Sequence, residues 1–267
     1  MLHFLKIDLK KLTSYRTFWV VCGLYFLTMG LTTSSGMEFL KWLERLGAQF
    51  GLHVNIYRIP FHHFPDVWMN LLFVAGFFKI ILGFVVVISI TNEFSYRTIR
   101  QNIIDGLSRE AFLTSKVLTN VLLSLASVVL MVGVVLTTGF IFSPQLELGE
   151  ILTDIEFVPA YFLEVFAYLS FALMLGLLIQ RSGLTLVVLL LSPLMEFIVK
   201  AIVDDYLPWL IPFFPLESLG NLIHVPFPRY VFFEIQDYVS LGSVAIVLVW
   251  TFLFNYFGYL KLKKSDI

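Results

Sequence analysis

The segment from Val117 to Phe142 decides the fold class, and it reads VLTNVLLSLASVVLMVGVVLTTGFIF. None of its residues carries a charged side chain. A membrane helix needs roughly 20 predominantly apolar residues to cross about 30 Å of hydrocarbon. The segment is therefore predicted to cross a lipid bilayer as a single helix.

Five further segments approach or meet the same length and apolar character. The composition agrees, because 58% of the 267 residues are hydrophobic and only 14% are charged, with a mean hydropathy of +0.87. A soluble domain needs a more polar surface. We predict an all-α integral membrane protein, a single transmembrane domain over residues 1–267, with six spans at Thr17–Thr33, Val67–Thr91, Val117–Phe142, Phe157–Ile179, Leu184–Val203 and Tyr238–Leu260.

The first of these spans has a second interpretation, as a signal peptide. Basic residues precede it and small residues follow it. However, its charged region extends to Arg16, and no A-x-A-like cleavage site appears after the apolar run. We predict a retained transmembrane helix.

The lysines and arginines outside the spans predict the orientation of the chain, because cytoplasmic loops are enriched in them. One set of flanking segments holds twelve: Lys6, Lys10, Lys11, Arg16, Arg97, Arg100, Arg109, Lys116, Arg181, Lys261, Lys263 and Lys264. The alternate set holds four: Lys41, Arg45, Arg58 and Arg229. Both termini are therefore expected in the cytoplasm. The protein itself is expected in the cell inner (cytoplasmic) membrane.

Residues 1–14 have the pattern of an amphipathic helix. Leucines recur at helical spacing and lysines occupy the other side: Leu2, Leu5, Leu9 and Leu12 against Lys6, Lys10 and Lys11. Such a helix lies in the membrane interface with its lysines towards anionic lipid headgroups. The alternative is a frayed basic tail.

Two outer segments are too long or too irregular to be simple turns. Ser34–Asp66 contains an apolar face between Phe39 and Phe50, which predicts an interfacial helix. Residues 204–237 are apolar but contain five prolines, which exclude one straight helix. We predict that they form a re-entrant hairpin in the outer leaflet; a loop on the outer surface is the alternative.

Four ionisable residues fall inside the predicted spans: Lys79, Glu164, Glu196 and Lys200. Such residues are costly in a membrane unless they are paired or solvated. Structural ion pairs, a polar translocation path and snorkelling are the three interpretations. Counted from the span ends, Lys79 and Glu196 differ in depth by ~8 Å, so we expect them to pair, while Lys200 can pair with Glu196 along the helix.

The longest inner loop, residues 92–116, is predicted to contain a short helix. Asn92 is a good N-cap residue, and Gly106 can end the helix at its C′ position. Tyr96, Ile99 and Ile103 share one face at helical spacing. Ser108 can cap the following helix, which enters the third span.

This loop resembles that of the permeases of ATP-binding-cassette exporters of the type 2 (type V) class. Their loop has a Glu at the end of the second span, a Gly-Thr pair, and then a break followed by an Arg and a Lys. The matching residues are, in order, Glu93, Thr98, Ser108, Arg109 and Lys116. Arg97 replaces the usual Gly, and Asp105-Gly106-Leu107 replaces a Pro-containing break. The N-terminal helix, six spans and broken outer segment extend the resemblance over the chain.

The resemblance implies that the chain is one half of a pore formed with a second permease subunit, as a homodimer or a heterodimer. The helix Glu93–Asp105 would dock into a separate ATPase subunit, through Glu93, Tyr96, Arg97, Thr98, Ile99, Arg100, Ile103 and Arg109. ATP and Mg²⁺ would bind that partner, since this chain has no G-x-x-x-x-G-K-[ST] phosphate loop. Membrane lipids are also expected partners of the chain. Nucleic acid is not an expected partner.

A membrane-embedded enzyme, such as an intramembrane protease or a lipid-modifying enzyme, is the alternative function. It would require clustered acids, histidines or a nucleophile at one depth, and no Gly-x-Ser-x-Gly or paired-Asp motif occurs in the spans. His53, His62 and His63 lie in one outer segment but without a typical zinc-ligand spacing. We therefore predict no catalytic residue, cofactor or metal site in this chain.

Overall fold

A computed structural model describes residues 2–45, 60–104, 106, 108–144, 147–231 and 233–264. All the regular secondary structure within these residues is helical. The α-helices are α1 (Leu2–Ser14), α2 (Arg16–Arg45), α3 (Val67–Gly76), α4 (Lys79–Ser95), α5 (Thr98–Ile104), α6 (Arg109–Phe142), α7 (Leu148–Leu152), α8 (Phe157–Ile179), α9 (Ser182–Asp204), α10 (Pro215–Gly220) and α11 (Leu241–Lys264). Two 3₁₀ helices, Pro208–Phe213 and Phe227–Val231, flank α10.

The long helices have the length and composition of membrane spans. Five of those described, α2, α6, α8, α9 and α11, are each able to cross a bilayer, and α3 with α4 make a sixth crossing if the bent pair is one span. This is the architecture of a multi-pass helical membrane protein. The predicted second span is not one straight helix, because the chain bends by 40° between α3 and α4.

Helix α8 lies at the centre of the bundle and packs against α4, α6 and α11. Its sequence is apolar on every side, as expected for a helix that is surrounded by other helices. Helices α4 and α8 approach closely at two glycines. A Cβ on Gly176 would lie 2.3 Å from Ile90 Cγ2, and one on Gly83 would lie 3.0 Å from Tyr168 Cε1. Small residues allow this close contact between membrane helices.

Helix α9 lies at the periphery and presents large apolar side chains outwards, among them Leu190, Phe197 and Ile202. Only Thr185 and Leu189 of this helix are buried. Water would disfavour so large an apolar surface, whereas lipid acyl chains would not. The exposure of α9 therefore agrees with a position in a bilayer.

The proline-rich segment after α9 folds back along that helix. The Glu196 carboxylate accepts hydrogen bonds from the backbone N–H groups of Leu216 (2.9 Å) and Glu217 (2.6 Å). Glu196 precedes the end of α9 by eight residues, so α10 begins ~12 Å back along the helix. On the other side, the Trp250 indole of α11 donates to the Phe213 carbonyl oxygen at 2.9 Å. The segment therefore packs between α9 and α11.

The predicted interfacial helix of the first outer segment needs correction in its described part. No separate helix begins near Phe39, because α2 continues unbroken from the first span to Arg45. An uninterrupted helix keeps every backbone hydrogen bond, whereas a break would leave several of them unmade. The remainder of the predicted interfacial helix, residues 46–50, lies outside the described residues.

Candidate functional site

The candidate site begins at Glu93, in the last turn of α4. Its side chain is buried, and its carboxylate accepts a hydrogen bond from the hydroxyl of Thr98, the first residue of α5. The same hydroxyl lies 3.3 Å from the Glu93 carbonyl oxygen. Glu93 therefore connects the end of one helix to the start of the next.

Lys116 of α6 joins Glu93 to the N-terminal helix. Its buried ammonium group lies 3.3 Å from Glu93 Oε1 and forms an ion pair with Asp8 of α1. The second carboxylate oxygen of Asp8 accepts the Thr119 hydroxyl at 2.6 Å. Lys11 Nζ, also on α1, lies 3.5 Å from Glu93 Oε2. We call Asp8, Lys11, Glu93, Thr98, Lys116 and Thr119 the charge network.

The charges of this network balance. Two carboxylates, Asp8 and Glu93, face two ammonium groups, Lys116 and Lys11. A buried charge is tolerated only when it is paired and hydrogen-bonded, and each buried member meets this condition. The network therefore fixes α1, α4, α5 and α6 relative to one another at one end of the bundle.

The helix that was predicted to begin after Asn92 begins later. Helix α4 continues through Ser95, and α5 starts at Thr98. The Tyr96 and Arg97 N–H groups still donate to the Asn92 and Phe94 carbonyl oxygens, at 2.9 and 3.1 Å. Asn92 is thus not an N-cap, because the apolar helix of the second span continues past it and buries Glu93 against Lys116.

Arg97 forms the turn between α4 and α5 with a φ of 55°. This left-handed conformation is unfavourable for most side chains and favours glycine. Arg97 is the position at which the resembling permeases have Gly.

The predicted shared face of the loop is only partly present. Ile99 is buried, whereas Tyr96 lies in the turn with its side chain exposed. The side chain of Ile103 lies outside the described residues. Arg100 and Ile104 point away from the bundle on the exposed side of α5.

At the end of the loop, Gly106 and Ser108 have the backbone and capping roles that were predicted for them. Gly106 has a φ of 95°, as a C′ glycine does, and the Ser108 hydroxyl accepts the Ala111 N–H at 3.1 Å as the N-cap of α6. Arg109 donates to the carbonyl oxygens of Leu262 (2.9 Å) and Lys263 (2.6 Å). Arg109 thus binds the C-terminal end of α11 rather than the charge network.

The charges within the spans all have partners, but not the expected ones. Lys79 forms an ion pair with Glu164 of α8, so the predicted Lys79–Glu196 pair is wrong. Lys200 pairs with Glu217 of α10, and Glu196 binds the N-terminal turn of that helix. The difference arises because Lys79 faces α8, the main neighbour of α4, whereas Glu196 and Lys200 contact α10.

A cluster of uncharged polar side chains lies near Glu164. The Tyr25 hydroxyl is 2.5 Å from Ser127 Oγ, which is 2.8 Å from the Tyr161 hydroxyl. The Tyr161 hydroxyl donates to the Met29 sulfur at 3.4 Å. These buried contacts connect α2, α6 and α8. Sequence periodicity did not single them out, because Ser and Tyr are ordinary residues in membrane helices.

Within the described part of the chain, no group of three or more His, Cys, Asp or Glu side chains could hold a metal ion. The His62 ring lies 3.1 Å from the Thr33 carbonyl oxygen. His53 lies outside the described residues.

Comparison with protein families gives a match over most of the chain. A family model described as "Protein of unknown function (DUF2705)" matches residues 46–267. No curated protein matches the chain. The matched region contains Glu93, Lys116 and both partners of the Lys79–Glu164 pair, whereas Asp8 and Lys11 precede it.

Proposed function

The chain belongs to the DUF2705 family, and we propose that it is the permease subunit of an ATP-binding-cassette exporter. It would form half of a translocation pathway with a second permease subunit, and a separate ATPase subunit would drive transport. The observation that carries the proposal is the way in which α5 is held. A short helix is fixed to the bundle by Glu93, Thr98 and the buried Ile99, and it exposes Arg100 and Ile104.

This arrangement suits the transmission of force. A helix that a partner moves must be attached rigidly to the spans, because a flexible linker would absorb the displacement. Through the charge network, a displacement of α5 reaches α4 through Glu93, then α6 through Lys116, and α1 through Asp8 and Lys11. The side of α5 away from the bundle carries Arg100 and Ile104, which a partner could bind.

Transport by this subunit requires an orientation in which α5 faces the ATP-containing compartment. The bias of lysine and arginine supports a cytoplasmic position for both termini and for α5. We expect a cysteine at Tyr96 to react with a membrane-impermeant maleimide only in inverted vesicles. A cysteine at Gly149 of α7, where a new side chain meets no neighbour, should react only in intact cells.

The labelling background replaces the single cysteine, Cys22, by alanine. Reaction of both introduced cysteines from the same side would contradict the proposed orientation.

The function is tested by purifying the tagged chain with its bound ATPase subunit and measuring ATP hydrolysis. We expect Ile104→Glu to reduce the bound ATPase about tenfold or more, because a charge would enter an apolar contact without a partner. Leu148→Glu on α7 is the matched control. Both side chains are highly exposed, 71% for Ile104 and 79% for Leu148, but they lie at opposite ends of α6 in the chain.

The control should retain the ATPase subunit and its activity. If the unsubstituted chain purifies without any ATPase subunit, or if Ile104→Glu binds as much of it as Leu148→Glu does, the proposed function is wrong.

A further inference from the structure

A groove runs between the α1–α2 junction and the C-terminal half of α4. It is shallow and open to the surroundings, with a cavity volume of about 40 Å³. Its apolar wall consists of Phe18 and Val21 on α2 and Val85 and Ile88 on α4. Like most small-molecule sites, the groove is mainly apolar with a few polar groups.

The polar groups of the groove lie at one end. Thr17 begins the α2 wall, and Ser89 and Asn92 continue the α4 wall towards the charge network. Because the two helices run in opposite directions, both walls change from polar to apolar in the same sense. Asn92 is seven residues from Val85, so the change occurs over ~10 Å along the helix. This gradient matches a lipid, with its ester region at the polar end and its acyl chain beyond it.

The charges around the groove indicate the headgroup. The groove itself is lined by uncharged side chains, so the part of a ligand inside it must be uncharged. At its polar end, Lys10 and Arg16 are exposed on either side of the α1–α2 junction. Basic residues at a membrane surface attract anionic headgroups. The ligand that fits is therefore an anionic phospholipid rather than a zwitterionic one.

A second, inner cavity of about 10 Å³ lies between the groove and the charge network. The two share Leu12, Val85 and Ser89, and the inner one reaches Lys116 and Thr119. The Ser89 hydroxyl lies 3.4 Å from Lys116 Nζ. An acyl chain in the groove would thus fill the space directly behind the contact between α1 and α4.

We propose that this groove binds one acyl chain of an anionic phospholipid, and that the bound lipid holds α1 against α4 next to the charge network. Under the proposed orientation the lipid belongs to the cytoplasmic leaflet, but the binding itself does not depend on the transport function.

The test compares two tryptophan substitutions on neighbouring residues of α2. Val21→Trp fills the groove, whereas Val20→Trp places the same side chain on the exposed side of the helix. The purified proteins are equilibrated with phosphatidylglycerol or phosphatidylcholine, and bound lipid is counted by native mass spectrometry. We expect the unsubstituted protein to prefer phosphatidylglycerol about tenfold, and Lys10→Gln with Arg16→Gln to abolish that preference.

Val21→Trp should reduce the bound phosphatidylglycerol about tenfold, whereas Val20→Trp should leave it unchanged. Equal lipid retention by the two variants would mean that only non-specific surface lipid is bound, and would overturn the proposal.

A second measurement does not depend on any substitution. Phosphatidylglycerol with a photoreactive acyl chain is expected to cross-link to the unsubstituted protein at Phe18–Val21 and Val85–Ser89. Cross-links confined to the exposed sides of α9 and α11 would contradict the proposed site. Either failure would leave the ATPase co-purification unaffected, so the two proposals fail separately.

Discussion

Replacement of Lys116 by methionine is expected to reduce the free energy of unfolding by about 3–5 kcal/mol. The substitution keeps the length of the side chain but leaves the buried carboxylates of Asp8 and Glu93 without their shared ammonium group. Lys11 would be the remaining cation near Glu93, and its side chain is 34% exposed against 6% for Lys116. Reversible unfolding in mixed micelles, followed by circular dichroism, measures the change.

Lys11→Met is the matched control for this prediction. Because water already screens the Lys11–Glu93 contact, its loss should cost at most about 1 kcal/mol. Asp8→Asn in the Lys116→Met background should restore part of the stability, since it removes one of the two unpaired charges. Equal unfolding free energies for Lys116→Met and Lys11→Met would show that the network is not an essential connection between the helices.

Replacement of Glu164 by glutamine is expected to cost about 2.5–3.5 kcal/mol, the range for an unpaired charge near the centre of a membrane helix. Glutamine keeps the shape of the side chain, which matters because a Cβ on Gly76 would already lie 2.9 Å from Glu164 Oε1. The free energy of unfolding falls because Lys79 would keep its positive charge without the Glu164 carboxylate that pairs with it.

The double substitution Lys79→Met with Glu164→Gln should return the unfolding free energy to within about 1 kcal/mol of the unsubstituted protein, because the charge is then absent. Lys200→Met is the control, since both partners of the Lys200–Glu217 pair are more exposed, at 22% and 32%. If the effects of Lys79→Met and Glu164→Gln simply add, the two residues do not stabilise the bundle as a pair.

The Lys79–Glu164 pair also has a position that suits a hinge. Lys79 is the first residue of α4, directly after the 40° bend that separates this helix from α3. Glu164 contacts the bend from α8, close to Gly76 at the end of α3. The pair therefore holds the two halves of the second crossing at their junction.

The candidate site was only partly predictable from the sequence. The order of Glu93, Thr98, Ser108, Arg109 and Lys116 indicated the loop, and Ser108 caps α6 as its residue type suggests. Asp8 was not identified, although it is the single acid in a basic helix. Its role depends on Lys116, which is 108 residues away in the chain, and spacing within one helix gives no information about such a contact.

The sequence by itself determined the helical class and the positions of the long helices, because the length of an apolar run and the residue type at a cap are local properties. The tertiary structure decided the partner of each buried charge, the bend in the second crossing and the continuation of α2 to Arg45. Counting residues gave the depth of Lys79 and Glu196, but depth does not tell which helices are neighbours or which way a side chain faces. The packing of α8 between α4 and α11 decides which helices are neighbours and which way Lys79 faces. Lys79 therefore pairs with Glu164.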